Sequence, residues 1–435
     1  MPSLPVEDLH ASLTDPVLLS MNLLNDIASD HPDAVSFAAG RPFEDFFRIE
    51  LLHEYIDTFA AHLAEERGLS DEQVRRVFYQ YGRTKGVIHD LVARYLRVDE
   101  GIEADPESIV VTVGSQEAMF LTLRALRTSP DDVVLAVVPT YFGLTGAARL
   151  LDMPVLPVRG EPDGLDTDDL VRQITAARAR GQRPRALYLV PDFSNPSGVS
   201  LSLGARRRLL DLAAEHGVLL IEDNPYGLFH ANPDARPPTL KALDTRRSVV
   251  HVGSFAKTGL PGARVGFVVA DQPVTRGGTP AGLLADQLSL AKSNITLNTS
   301  PVAQAVIGGR LLRHGCSMLA ANKRELDVYR VNQNHILAGL AERFPADGPV
   351  RWNTPAGGFF VVLTVPFPVD DQTLRRSARK HGVIWTPMHH FYTDMTRSNQ
   401  IRLSFSLLTP DLIERGLDRL AEFVAAENKE SVESP

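Results

Sequence analysis

A lysine in a glycine-containing loop is the residue of this sequence best suited to covalent chemistry. Lys257 follows an apolar run and lies between Ser254 and Arg264 in the segment HVGSFAKTGLPGARVGF at 251–267. A lysine amine forms a Schiff base when it is partly desolvated and close to other positive charge. A hydroxyl and a guanidinium on either side of it would suit a phosphate group. The alternative interpretation is a lysine in a surface loop.

Two further segments place polar side chains at the ends of apolar runs. Asp223 and Tyr226 lie in LLIEDNPYG at 219–227, and Asn195 lies in PDFSNPSGVSL at 191–201. A buried carboxylate is costly unless it is paired, which favours a functional role for Asp223. The Asn195 amide can project into a cleft as a hydrogen-bond donor, although a tight strand-to-helix loop would use the same turn residues.

A third strand end is a candidate anion site. A strand that ends at Val113 is followed by Gly114, Ser115 and Gln116, and then by a helical pattern from Ala118. Small residues at a helix start expose backbone N–H groups to an anion. The same turn could serve only as a helix cap.

The hydrophobic pattern predicts the elements that position these residues. Short apolar runs alternate with helical patterns and occupy residues 133–140, 186–193, 217–224, 248–255 and 263–270. Continuous apolarity is typical of strands that helices cover on both faces. We therefore expect a mainly parallel α/β sheet, with ligands bound at the carboxyl ends of its strands.

The pattern changes after about residue 300. Long helical stretches surround β-like runs at 357–367 and 401–408, and Thr409 and Pro410 mark the start of a last amphipathic helix. These features predict a second, smaller α+β domain. The predicted limits are an N-terminal arm that packs with the small domain, a large domain and a small domain, at residues 1–45, 46–305 and 306–435.

The composition is that of a soluble globular enzyme. The chain has 435 residues, is 44% hydrophobic, and carries 45 Lys and Arg against 53 Asp and Glu, a net charge of −8. A mildly acidic chain has no broad basic field for nucleic acid. Cys316 is the single cysteine, which excludes an internal disulfide or thiolate zinc cluster and suits a cytoplasmic protein. No window approaches the ~20 apolar residues of a membrane span, and the N-terminus lacks a signal-peptide pattern.

Together these motifs resemble those of the class I/II aminotransferases, the fold-type-I enzymes dependent on pyridoxal 5′-phosphate (PLP). The resemblance covers residues 36–425 and rests on the order N-P-x-G, D-x-x-Y, S-x-x-K and a downstream arginine. It implies a large, mainly parallel seven-stranded sheet domain with a smaller α+β domain. The implied reaction moves an amino group between an L-amino acid and a 2-oxo acid by a ping-pong mechanism.

The resemblance also implies roles for the residues around the cofactor. Lys257 would hold the cofactor and then move the proton between Cα and the cofactor, while Asp223 would keep the pyridine nitrogen protonated. Asn195 and Tyr226 would donate to the phenolic oxygen, and Tyr141 would stack on the ring. The implied phosphate-binding residues are Gly114, Ser115, Gln116, Ser254 and Arg264.

Three residues match substrate-side or subunit-side positions of the family. Arg402, in IRLSFS, matches the arginine that binds the substrate carboxylate in two parallel hydrogen bonds. Gly40, in FAAGRP, would lie near the same carboxylate. Tyr81, in YQYGRTKG, matches a tyrosine that reaches the phosphate of the neighbouring subunit, which implies at least a homodimer.

The segment TPMHHFY at 386–392 departs from the family, which commonly has Pro-Gly before a phenylalanine. His389 or His390 could meet a polar substrate side chain, or both could lie in a solvated loop. We expect no metal site, because adjacent side chains on a strand or loop point apart. With this loop and the segment VSFAAGRPFEDFF, the chain is similar to aminotransferases that make hydroxyphenylglycine and dihydroxyphenylglycine for peptide antibiotics.

Two other classes of protein share parts of this pattern. A PLP enzyme of the same fold could act as an oxidase, cyclase or lyase, since all begin at the same cofactor. A non-catalytic sensor of the transcription-regulator type would need a DNA-binding module of about 60–80 residues with a basic helix. The segment before FAAGRP is too short and carries no basic run.

Overall fold

An eight-stranded sheet forms the centre of the structure, a computed structural model that describes residues 3–162, 164–395 and 398–433. The strands of the chain are β1 (Val35–Ser36), β2 (Ile109–Thr112), β3 (Asp132–Val138), β4 (Val155–Glu161), β5 (Gly164–Leu165), β6 (Arg183–Leu189), β7 (Leu219–Asp223), β8 (Val249–Ser254), β9 (Gly266–Val269), β10 (Pro273–Arg276), β11 (Thr279–Leu283), β12 (Arg351–Trp352), β13 (Phe360–Val369), β14 (Val383–Ile384), β15 (Thr386–Pro387) and β16 (Ser398–Ser404). The helices are α1 (Pro16–Asp30), α2 (Ile49–Glu65), α3 (Asp71–Tyr79), α4 (His89–Tyr95), α5 (Gly114–Leu126), α6 (Phe142–Leu150), α7 (Thr167–Ala179), α8 (Leu203–His216), α9 (Leu240–Leu243), α10 (Leu284–Ser293), α11 (Pro301–Arg313), α12 (Met318–Ala321), α13 (Lys323–Arg343), α14 (Asp371–Arg376) and α15 (Pro410–Glu433).

The central sheet has the strand order β2-β9-β8-β7-β6-β3-β4-β5. The strands β4, β3, β6, β7 and β8 are parallel, whereas β9 runs antiparallel to both β8 and β2. The two-residue strand β5 adds a short antiparallel hairpin to β4 and is the eighth strand beside the seven expected. The mainly parallel α/β sheet is therefore confirmed.

The apolar runs form strands that are covered on both faces. In β3, Val134 and Ala136 belong to one buried cluster, while Leu135 between them belongs to the cluster on the opposite face. Successive side chains of a strand point to opposite faces, so a strand with helices on both sides needs no polar positions. The strand β4 was not predicted, because its sequence VLPVRGE interrupts the apolar run with exposed polar residues.

The helix predicted between β6 and β7 is confirmed as α8. The Ser202 side chain accepts a hydrogen bond from the Ala205 backbone at its start, and Gly217, with a φ of 59°, ends it in the left-handed conformation. Leu209 and Leu212 lie on its buried face against the sheet. Its loop to β6 contains Asn195.

A four-stranded antiparallel sheet of order β12-β13-β16-β15 forms a second layer with α13 and α15. The helix α15 begins where Thr409 and Pro410 predicted it, and Leu417 and Phe423 on it are fully buried. Val35, in β1, belongs to the same buried cluster, and β1 pairs in parallel with β14. The N-terminal segment predicted as an arm thus contains a helix, α1, and a short strand.

The helix α13 links the two cores of the chain. Tyr329 on this helix is buried in a cluster with residues of the central sheet, whereas Ile336 and Leu340 lie in the cluster beneath the small sheet. The predicted division after residue 305 falls within α11, whose Ile307 packs with large-domain residues. The domain limits stay a prediction. No helix among the described residues is long and apolar enough to cross a membrane.

Candidate active site

A cavity of about 520 Å³ lies at the carboxyl ends of the central strands. Its walls come from the ends of β7 and β8, the start of α5, the segment after β1 and the strand β16. The predicted site residues that line it are Gly40, Ser115, Gln116, Tyr141, Asn195, Asp223, Tyr226, Ser254, Lys257, Arg264 and Arg402. Residues far apart in the sequence therefore meet in one concave site.

The Lys257 amine points into this cavity. Its Nζ donates a hydrogen bond to the Gly40 carbonyl at 2.6 Å and lies 5.9 Å from the centre of the Tyr226 ring. Burial, together with the positive charges of Arg402 and Arg264, lowers the pKa of Lys257 to about 8. About a tenth of this amine is therefore neutral, and nucleophilic, at pH 7, far more than for an ordinary lysine.

Asp223 has one paired and one unpaired carboxylate oxygen. Its Oδ2 accepts a hydrogen bond from the Tyr188 hydroxyl at 2.7 Å, while its buried Oδ1 has no partner among the described residues. Burial raises the pKa of Asp223 to about 6. A cationic N–H group placed at Oδ1 would offset the free-energy cost of burying this carboxylate.

Tyr188 is a site residue that the sequence analysis missed. In the register of β6 and β7 it pairs with Ile221, which lies two residues before Asp223 and therefore on the same face of the sheet. A tyrosine within the apolar second half of β6, the residues ALYL, was the available signal. Its distance from Asp223 depends on the pairing of the two strands, which the sequence does not state.

The turn at the start of α5 is shaped for an anion. Gly114 has a φ of 71°, and a Cβ there would collide with the Arg264 guanidinium. A Cβ at Gly266 would lie 2.6 Å from the Ser115 backbone nitrogen. These glycines let a guanidinium and the N-terminal N–H groups of α5 converge, together with Ser254 at the end of β8. This arrangement suits a phosphate.

Gln116 and Tyr141 form the adjoining wall. The Gln116 side chain donates to the Gly143 carbonyl at 2.6 Å, which ties α5 to the start of α6. Burial raises the pKa of Tyr141 to about 12, and burial likewise raises that of Tyr226. Both phenols are therefore neutral hydrogen-bond donors at physiological pH.

Arg402 is a buried cation whose hydrogen-bond acceptors, within the part of the chain that the structure describes, are all neutral. Its Nη1 donates to Asn195 Oδ1 at 2.5 Å, and its Nη2 donates to the Ala38 carbonyl at 2.6 Å and to Thr386 Oγ1 at 3.1 Å. Burial lowers the pKa of Arg402 to about 10, so it stays charged at neutral pH. A bound carboxylate would supply the missing negative charge.

Two aromatic rings hold the Arg402 guanidinium. Its Cζ lies 4.4 Å from the centre of the Phe360 ring and 5.1 Å from that of Phe391. A Cβ at Gly40 would lie 2.6 Å from the Phe360 ring, so this position needs glycine for the ring to pack here. Gly40 thus shapes the arginine site and also accepts from Lys257.

Four predicted residues are not part of the cavity lining: Gly114, which directly precedes the lining residue Ser115, and Tyr81, His389 and His390. Tyr81 is 81% exposed, and its predicted contact with a neighbouring subunit stays a prediction. The structure does not bring His389 or His390 into the cavity either. They lie in the 3₁₀ turn Met388–Phe391, where both histidine rings face Asp371. The expectation that their rings point apart was wrong: in this tight turn the ring centres are 4.0 Å apart.

Comparison with known proteins agrees with this geometry. Residues 50–420 match the family described as aminotransferase class I and II. The chain belongs to this family. The (S)-3,5-dihydroxyphenylglycine transaminase of Amycolatopsis orientalis is 55% identical to it over 423 residues, which are 97% of this chain and 95% of that protein.

Solved aminotransferase structures share the fold along nearly the whole chain. The kynurenine aminotransferase of Pyrococcus horikoshii, solved with pyridoxamine phosphate (PMP), has a TM-score of 0.78 and 28% identity, and 94% of each chain is covered. The multiple substrate aminotransferase of Thermococcus profundus has a TM-score of 0.80 and 27% identity, with 96% of this chain and 99% of that one covered.

The chain is thus a PLP-dependent aminotransferase. Its residues fit the cofactor at three points: the unpaired Asp223 Oδ1 suits a protonated pyridine nitrogen, the turn at Gly114 suits the phosphate, and the Lys257 amine suits the aldehyde. The prediction of a fold-type-I transaminase is confirmed.

The lowered pKa of Lys257 predicts the pH dependence of cofactor loading. Only the neutral amine attacks the aldehyde, so the rate should rise about tenfold per pH unit up to pH 8 and level off above it. Mixing enzyme stripped of cofactor with PLP and following visible absorbance measures this rate. A rate that still rises tenfold per unit between about pH 8.5 and pH 10 would show an ordinary lysine and contradict the prediction.

Proposed function

We propose that this aminotransferase acts on an arylglycine with a hydroxylated ring, exchanging its amino group with a 2-oxo acid in secondary metabolism such as antibiotic biosynthesis. The observation that carries the proposal is the 55% identity, over 97% of the chain, to a protein named as a dihydroxyphenylglycine transaminase.

We assign to Lys257 the transfer of the substrate's Cα proton. When bound, the cofactor would supply an electron sink for the pair left when the Cα–H bond of the substrate breaks. The Lys257 Nζ accepts the Cα proton in its neutral form, which a pKa of about 8 makes accessible near neutral pH, and then delivers the proton to the cofactor side of the reacting system. Asp223, fixed by Tyr188, holds the ring nitrogen in its protonated form.

Arg402 orients the substrate in this proposal. Its guanidinium, fixed between the Phe360 and Phe391 rings, binds the α-carboxylate in a bidentate manner and sets the direction of the Cα–H bond. Asn195 and Tyr226 would donate hydrogen bonds to the phenolic oxygen of the cofactor. For Asn195, the side-chain NH₂ group would donate while its Oδ1 still accepts from Arg402.

The rest of the cavity lining suits a phenolic ring. Apolar residues come from α1, from α6 and from the segment before α15, while polar groups lie among them. The apolar residues are Leu24, Ala28, Phe142 and Leu407, and the polar residues include Asn25 and Arg41. An aromatic ring with hydroxyl groups needs both an apolar surface and hydrogen-bond partners.

A substrate panel tests the proposal. Purified enzyme is offered hydroxylated arylglyoxylates and aliphatic 2-oxo acids of similar charge, with several amino donors, and products are identified. We expect kcat/KM for the arylglyoxylates to be higher by at least about tenfold, a difference of about 1.4 kcal/mol. Equal or faster turnover of aliphatic acids overturns the substrate class. Products other than a 2-oxo acid and the aminated cofactor would favour an oxidase, cyclase or lyase.

Replacing Arg402 with lysine should weaken substrate binding while leaving cofactor loading intact. A lysine keeps the charge but loses the bidentate geometry, so kcat/KM for the amino donor should fall about 10²-fold, mostly through KM. Steady-state kinetics measures this fall. Arg351→Lys, at an exposed position in the same small sheet, is the matched control. An unchanged KM in Arg402→Lys would contradict the assignment.

The proposed active unit is a homodimer in the cytoplasm. Tyr81 is 81% exposed in the single chain, as expected of a side chain that completes the phosphate site of a second copy. Sedimentation of an active monomer would overturn this part of the proposal.

A further inference from the structure

We propose that Asp371, His389 and His390 form a binding site for a divalent transition-metal ion of the Zn²⁺ type. The three residues lie outside the cofactor cavity, between the start of α14 and the 3₁₀ turn Met388–Phe391. The reaction assigned to this enzyme has no role for them. The proposal stands independently of the substrate class.

The donor atoms of the three side chains converge. Nε2 of His390 lies 2.7 Å from Asp371 Oδ1, and Nε2 of His389 lies 3.5 Å from the same oxygen. One ligand atom from each residue lies within 4.8 Å of the others. Tetrahedral ligands at Zn²⁺ distances are separated by about 3.3 Å, so side-chain movements of less than about 1 Å would open a site.

The chemistry of the donor set selects the class of ion. Two imidazoles and one carboxylate match the ligands of zinc sites that keep a fourth position for water. Mg²⁺ and Ca²⁺ prefer oxygen ligands and fit this set poorly. The carboxylate also supplies a negative charge that offsets part of the charge of the ion.

Burial and access also suit a bound ion. The side chains of His389 and His390 are only 10% and 4% exposed, so packing fixes the orientation of their rings. The side chain of Asp371 is 40% exposed, which leaves the site accessible to solvent. A simple Asp–His hydrogen bond explains the contact of His390 with Asp371. It does not explain why the second imidazole lies with its ring centre 4.0 Å from the first, tilted by 38°, or why the buried Nδ1 of both rings lacks a partner in the described residues.

The proposed metal site lies on the same turn as a residue that holds Arg402. The turn Met388–Phe391 carries Phe391, whose ring lies 5.1 Å from the Arg402 guanidinium. The Phe391 carbonyl accepts from the Thr140 backbone at 2.8 Å, next to Tyr141 of the cavity wall. An ion bound to this turn therefore secures one of the two rings that hold Arg402.

Metal binding to the cofactor-loaded enzyme tests the proposal. We measure Co²⁺ binding by equilibrium dialysis and visible absorbance, and displacement of Co²⁺ by Zn²⁺. One ion per chain is expected, with its affinity reduced at least about tenfold in Asp371→Ala and in His390→Gln. His335→Gln, with a histidine that is 45% exposed on α13, is the matched control and should bind as the unmodified enzyme does.

Thermal melting provides a second readout. Zn²⁺ should raise the melting temperature of the unmodified enzyme and of His335→Gln but not that of Asp371→Ala, whose partly exposed carboxylate is dispensable for folding. Failure of the unmodified enzyme to bind Co²⁺ or Zn²⁺ would overturn the proposal. Equal binding by Asp371→Ala, which would place the ion elsewhere, such as at the cofactor phosphate, would also overturn it.

Discussion

Replacing Lys257 with alanine is expected to abolish transamination and the visible absorbance of the covalently held cofactor. Lys257 carries the amine at the centre of the cavity, where burial and two arginines lower its pKa to about 8. Loss of this proton-transferring group should lower kcat by about 10²- to 10⁴-fold. Single-turnover absorbance with an amino donor measures the loss.

A matched control separates this effect from damage to the fold. Lys323→Ala, at an exposed position at the start of α13, should keep full activity. Far-ultraviolet circular dichroism should be the same for both variants. Turnover by Lys257→Ala within tenfold of the unmodified enzyme would contradict the central assignment of the site.

Replacing Asp223 with asparagine is expected to leave the cofactor partly bound while slowing the chemical step about 10²- to 10⁴-fold. Asp223 Oδ1 is buried and without a partner in the described residues, so a protonated ring nitrogen is its natural partner. Removing one member of a buried charge pair costs about 3–5 kcal/mol, which corresponds to that fall in rate. Stopped-flow measurement of the first half-reaction tests this.

The comparison variants for Asp223 are Asp211→Asn and Tyr188→Phe. Asp211 has a side chain that is 65% exposed on α8, and its replacement should change nothing. Tyr188→Phe removes the hydrogen bond to Asp223 Oδ2 but keeps the charge, so a smaller fall in rate is expected. An Asp223→Asn rate equal to that of Asp211→Asn would contradict the pairing with the ring nitrogen.

The strands of the central sheet could be predicted because burial on both faces requires an apolar sequence. A strand covered on both faces is continuously apolar, as in β3 and β8. The strand β4 and the hairpin β10–β11 were missed, since both expose much of their surface and their polar residues do not form a clear period. Gly277 and Gly278 are the remaining turn signal of that hairpin.

The site was predictable to the extent that its residues lie in short motifs. Asp223 ends a strand of the sheet, Lys257 and Asn195 each follow one, and the carboxyl ends of parallel strands meet at one edge. Arg402 and Gly40 come from the opposite wall and were found through the family resemblance, because nothing near them in the sequence marks a ligand site.

The sequence by itself determined the parallel sheet and the residues at its carboxyl edge, because local apolar runs and turn residues encode both. The tertiary structure decided what depends on distances between remote segments: the pairing of Tyr188 with Asp223, the neutral acceptors around Arg402, and the lowered pKa of Lys257. It also placed His389 and His390 against Asp371 and not in the lining of the cavity. Burial and electrostatic fields arise from all packed neighbours at once, so no local motif contains them.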